Sequence, residues 1–288
     1  MISLLLTLIF SLNAGATPPE HGGEPPQRII ANAPSNAEIV CALGACDRLV
    51  GVSAYVTYPD QTRELPKVGG LDDPDLEKIL ALRPDLVIQR GHNAHVAGLC
   101  ERHGIAMYED RTDSLATLYT TIRDLGGLLG EADKARALTD SIRGQLDDIA
   151  AGAAQHRPRV LLALRSRDRL TPLTTVGKPS YLHEVIEIAG GTNVFGDVDV
   201  AYPEVGLEEV IARQPDIIIE AMPGATLTPE EIENIVKQWD AVPAVPAIRN
   251  KAIHVLTADY VLTPSPRVVL LAKKLHELFT DEATARAD

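Results

Sequence analysis

The stretch LEKILALRPDLVIQ, residues 76–89, returns as LEEVIARQPDIIIE, residues 207–220, a displacement of 131 residues. Each copy opens with Leu-Glu at the start of a helical run and closes with Pro-Asp before an unbroken apolar strand. Proline cannot continue a helix and biases the residue before it away from the α region, so both copies predict a short helix that stops abruptly and feeds a buried strand. The same displacement relates RIIANA, beginning at Arg28, to RVLLALR, beginning at Arg159. SNAEIVCALGA (35–45) is echoed by SYLHEVIEIAGG (180–191), and LPKVGG (65–70) by YPEVG (202–206). Several elements recurring in one order, with the same displacement for the first strand and for the quoted pair, indicate a duplicated lobe, and the period is too long for a solenoid.

Outward from these copies, short β-branched runs alternate with amphipathic helices. In the first half the strands are residues 28–33, 48–54, 85–89 and 105–109; in the second, 159–165, 216–221 and 252–259. Near-continuous apolar strands joined by helices imply parallel sheets covered on both faces. The helix over 35–44 has Ser35 and Glu38 at capping-box spacing and Gly44 at its end. From 114 to 155 the alternation stops and the pattern is helical throughout, weakest at Gly126-Gly127. A helix of about 22–25 residues there would span roughly 35 Å. The expected fold is α/β: two Rossmann-like lobes (28–113 and 156–288) with parallel-rich sheets, joined by one long helix within a helical connector (114–155). Loops at the strand C-termini would line a cleft between the lobes.

The 288 residues carry 27 Lys+Arg against 40 Asp+Glu, a net charge of −13, which argues against nucleic acid or an anionic membrane as a general partner. Residues 1–16, MISLLLTLIFSLNAGA, read as a secretory signal cleaved after Ala16, and 17–27 as a flexible Pro/Gly-rich leader. No cysteine follows the apolar run at a lipid-attachment position, so a periplasmic, unanchored protein is expected. Cys41, Cys46 and Cys100 form no disulfide framework; Cys41 and Cys46 could approach each other, yet both sit in apolar company and read more readily as core residues. No dinucleotide, P-loop, nucleophile-elbow or zincin motif is present, so an enzyme is not expected.

The order RIIANAPSNAEIVCALGACDRLVGVSAYVTYP (28–59), LPKVGG, LEKILALRPDLVI, the central helix and the ending DYVLTPSPR (259–267) resembles the periplasmic binding proteins for vitamin B12 and ferric siderophores, most closely the cobalamin branch. The resemblance implies a monomeric solute receptor without a cofactor, which holds a chelate between its lobes and delivers it to the permease subunits of an ABC importer. It also implies that glutamates at the lobe tips, here Glu77 and Glu208, meet arginines of the permease. Read from the residues alone, each is a first-turn carboxylate favoured by the helix dipole by about 0.3–1 kcal/mol. By the same resemblance Tyr55 stacks on the corrin ring, Tyr202 stands where a tryptophan is usual, Asp259 hydrogen-bonds the ligand and Pro34 lies at a loop of backbone contacts. Leu71 and Thr174 replace expected aromatics, and Thr263 replaces an arginine.

Two alternatives remain open. Arg90, together with Arg165, Arg167 and Arg169 in LRSRDR, could clamp an anionic ferric chelate or haem. His92 and His95, three residues apart, suit a surface pair or a Zn or Mn site lacking its remaining ligands.

Overall fold

The computed structural model describes residues 24–153, 157–164, 170 and 172–285. The expected signal, most of the leader, and Arg165, Arg167 and Arg169 lie outside the described residues. In the first lobe β1 (Ile29–Ala31), α1 (Pro34–Ala42), β2 (Leu49–Val52), α2 (Leu76–Ala81), β3 (Leu86–Arg90), α3 (Ala94–His103) and β4 (Ala106–Asp110) alternate as expected. The connector is α4 (Leu115–Leu128) and α5 (Ala132–Ala151). The second lobe contains β5 (Arg159–Ala163), β6 (Leu173–Thr174), α6 (Tyr181–Ile188), β7 (Thr192–Asn193), β8 (Glu204–Val205), α7 (Leu207–Arg213), β9 (Ile217–Ala221), α8 (Pro229–Lys237), α9 (Pro246–Arg249), β10 (Ile253–Leu256) and α10 (Val268–Ala285).

Each lobe has a four-stranded parallel sheet, ordered β2-β1-β3-β4 and β10-β9-β5-β7, and the second adds the antiparallel pair β6-β8. The duplication extends to register: Ile29 faces Leu86 in the first sheet, and Val160 faces Ile217, each shifted by 131, in the second. It extends also to a clasp. The Arg28 backbone N–H donates to Asp85 at 3.0 Å, and its guanidinium donates to the Leu82 and Arg83 carbonyls. Arg159 repeats this with Asp216 at 2.9 Å and with the Arg213 and Gln214 carbonyls. An arginine thus caps the exposed carbonyls where α2 and α7 end, matching both their hydrogen-bond need and the helix dipole. Arg83 (φ 47°) and Gln214 (φ 45°), each just before the proline, take the left-handed conformation that halts the helix.

Three expectations are corrected. Ser35 is not the N-cap of α1; Ala33 occupies that position and Pro34, whose missing N–H costs nothing there, starts the helix. Glu38 therefore does not complete a capping box. Its carboxylate instead receives hydrogen bonds from Ser265 and Arg267, more than 220 residues away. Cys41 and Cys46 are not plain core residues but a disulfide. The connector breaks at Gly130 (φ +74°), just beyond the Gly126-Gly127 weak point, and α5 has 20 residues, a length of about 30 Å.

One core runs through both lobes. It joins Ile29 and Ile88 of the first sheet to Val160 and Ile219 of the second, by way of Leu118 and Ile122 (α4), Ile142 and Leu146 (α5) and Leu275 (α10). The opposite sheet faces have their own cores, around Val87 and Val96 in the first lobe and Ile218 and Trp239 in the second. The lobes therefore share packed helices, which restricts how far they can swing apart. No described helix is long and apolar enough to cross a membrane.

Candidate ligand-binding cleft

Pro34 follows β1, Tyr55 follows β2, and Asp259 follows β10, so three loops at strand C-termini converge where open parallel sheets place ligands. Between them lies a cavity of about 290 Å³, walled by Pro34, Tyr55, Tyr58, Asp259, Thr263 and Arg267, with Glu38 behind. Tyr55, in that wall, is 61% exposed and presents an aromatic face to an occupant, and Tyr202, outside it, is 43% exposed. The loop carrying Tyr55 and Tyr58 is pinned by Lys67, whose ammonium donates to the Val56 and Thr62 carbonyls at 3.0 and 3.1 Å. Burial pulls the Lys67 pKa below its ordinary value, and Glu64 opposes that.

The charged wall turns on Arg267. Its guanidinium forks onto Glu38 (Nε to Oε2, 2.8 Å), donates to Asp259 Oδ1 at 2.7 Å, and stacks 3.9 Å from the Tyr58 ring centroid. Burial disfavours the cation, but the Glu38 and Asp259 hydrogen bonds and charges outweigh it and hold the guanidinium above its ordinary pKa. The cavity lining therefore contains two carboxylates against one arginine that is already committed to both.

Pro34, Tyr55, Asp259 and Thr263 are thus brought together, while Leu71, Arg90, Thr174 and Tyr202 do not line this cavity. The Leu71 carbonyl accepts from Asn32 and Gln89. Arg90 is occupied by Asp110 and the Thr112 carbonyl, at 3.4 and 2.8 Å. Thr174 pairs with Glu204 across the β6-β8 ribbon, and the Tyr202 hydroxyl accepts from Ser180 at 3.4 Å. Sequence reasoning missed Glu38, Tyr58 and Arg267. The available signal was a carboxylate inside the apolar run AEIVCAL, with no basic residue at helical spacing to pair it.

Glu77 and Glu208 occupy the same place in the first turns of α2 and α7, and both are exposed. The caps are made by their neighbours: Asp75 accepts from the Lys78 N–H at 3.0 Å, and Glu209 accepts from the Gly206 N–H at 3.4 Å. Among the described residues neither Glu77 nor Glu208 has a partner for its carboxylate. His92 precedes α3 and is 3.2 Å from Glu109, so it does not share a helix with His95. Among the described residues no three metal-ligating side chains cluster.

The periplasmic binding protein family matches this chain over residues 29–260, spanning both lobes. The chain belongs to the periplasmic binding protein family. The vitamin B12-binding protein of Salmonella typhimurium is 32% identical over 278 residues, covering 96% of this chain and 94% of that one. That of Vibrio cholerae is 30% identical over 249 residues, covering 85% and 86%. Among solved structures, the periplasmic vitamin B12 binding protein of Vibrio cholerae superposes with a TM-score of 0.74 at 28% identity, over 91% of this chain and 99% of that one. A periplasmic heme binding protein from Pseudomonas aeruginosa gives 0.78 at 26% identity, over 88% and 92%. Membership makes this periplasmic binding protein a solute receptor and not an enzyme, and the two-lobed α/β fold is that of its relatives. The backbone is shared by B12 and heme binders alike, so the ligand has to be argued from side chains.

Proposed function

We propose that this periplasmic binding protein captures a corrinoid of the vitamin B12 type and delivers it to the permease of an ABC importer. The observation that carries the reading is the committed arginine. An anionic ferric chelate or heme propionate would need a free guanidinium, whereas Arg267 is saturated by Glu38 and Asp259 and leaves the wall net negative. A corrin periphery rich in neutral amides suits that wall, because amide N–H groups can donate to Asp259, whose Oδ2 accepts no hydrogen bond from the described residues. Tyr55 and Tyr202 supply the stacking faces, and Pro34 and Thr263 the wall around the ligand. The role is capture and release without chemistry on the ligand, and no resident cofactor is required. Glu77 and Glu208 are the permease contacts. Export through residues 1–16 and the Cys41–Cys46 disulfide both fit an oxidising periplasm.

The test is native mass spectrometry of the purified protein mixed separately with cyanocobalamin, haemin and a panel of ferric siderophores. One cyanocobalamin per chain is expected. Tyr55→Ala is expected to weaken it about fivefold, for a stacking contribution of about 1 kcal/mol. Retention of haemin or a ferric siderophore without cyanocobalamin would overturn the corrinoid assignment.

A further inference from the structure

We infer that Arg267 is a positioning residue that latches the two lobes together and couples the cleft to the angle between them. Glu38 and Tyr58 belong to the first lobe; Asp259, Ser265 and Arg267 belong to the second. One guanidinium crosses that boundary two ways, by its fork onto Glu38 and its stacking on Tyr58, and is tied on its own side to Asp259. Ser265 adds a crossing bond to Glu38 Oε2 at 2.6 Å, and the Ser265 hydroxyl in turn accepts from the Arg267 backbone N–H at 3.2 Å. The side-chain exposures fix the direction of coupling: Glu38 3%, Arg267 14% and Asp259 38%. A ligand reaches Asp259 more readily than Glu38, and Arg267 is the side chain that joins the Asp259 carboxylate to the first lobe. Planar, bidentate geometry is what the position demands, because a lysine ammonium is a single point of charge and cannot fork onto Glu38 while holding Asp259.

Breaking the fork leaves a buried carboxylate unpaired, which the molecule relieves by opening the boundary to water. The unliganded protein then spends less time in the arrangement that accepts ligand, and apparent affinity falls by that fraction. This affinity effect rests on the cleft being the ligand site; the effect on lobe geometry does not.

The experiment labels the lobes with nitroxides at Glu77→Cys and Glu208→Cys in the full chain and measures the distance distribution by pulsed electron resonance without ligand. Cyanocobalamin affinity is measured in parallel on unlabelled protein. The latched protein is expected to give one narrow distribution. Arg267→Met should broaden it toward longer distances and weaken cyanocobalamin about tenfold, with Arg267→Lys intermediate in both. Glu38→Gln, which keeps shape and the Ser265 contact, should broaden it too and serves if Arg267→Met does not fold. Unchanged distributions in folded variants overturn the latch, even if the parent chain binds cyanocobalamin. Broadened distributions in a chain that binds no cyanocobalamin uphold the latch and sink the corrinoid reading instead.

Discussion

Replacing both Cys41 and Cys46 with alanine should cost this protein about 2 kcal/mol of stability, nearly all of it through the unfolded chain. The bridge spans a sequence separation of 5 residues. The chain-entropy relation for so small a loop gives about 7 cal/mol/K, or about 2 kcal/mol at 25 °C. Little native-state loss adds to this, because the end of α1 is already closed without the bridge. Gly44 (φ +82°) donates to the Cys41 carbonyl at 2.9 Å, and Ala45 donates to the Val40 carbonyl at 3.1 Å, the two bonds of a Schellman motif. Urea unfolding of the oxidised parent and the double variant should give parallel transitions with a lower midpoint for the variant. Thermal melts should differ by about 4–8 °C. Reductant should shift the parent to the variant's curve and leave the variant where it is. A loss below about 0.5 kcal/mol would refute the reasoning, since it denies the cross-link its entropy, and so would a changed denaturant slope, since so short a loop is too small to alter the surface exposed on unfolding.

Two further outcomes are expected. Burial raises the Glu184 carboxyl above its ordinary pKa, although the Leu115 N–H and His183 oppose that. Since the folded pKa exceeds the unfolded one, stability is full below about pH 4.5 and declines as pH rises through the raised value. Glu184→Gln should therefore match the parent at pH 4 and exceed it at pH 7, and equal stabilities at both pH values would show that the carboxylate is well solvated. For docking, reversing charge at both Glu77 and Glu208 should abolish importer-dependent uptake in cells while cyanocobalamin affinity stays within twofold. Undiminished uptake would leave these glutamates as helix starts and nothing more.

Features that depend on near neighbours along the chain were legible from residue order. The copies at 76–89 and 207–220 carry their own helix stop and buried strand, and periodicity alone gave the lobes and the parallel sheets. The connector was legible in composition but not in its break. Gly126 and Gly127 remain helical, and the turn falls at Gly130, where the Glu131 N–H returns to the Gly126 carbonyl at 2.7 Å. Capping was only half legible. Ser35 and Glu38 have capping-box spacing, but the pattern cannot see that a proline has already started the helix or that an arginine elsewhere claims the carboxylate.

Residue order by itself determined the duplicated architecture, because hydrophobic period and proline stops act within single supersecondary units. Tertiary structure alone decided what faces the cleft. Glu38 and Arg267 stand 229 residues apart, and no local pattern binds a carboxylate in one lobe to a guanidinium in the other. Only once the shared helical core has brought the lobes together does desolvation make each charge require the other, and that need converts a helix-start motif into the wall of the cleft.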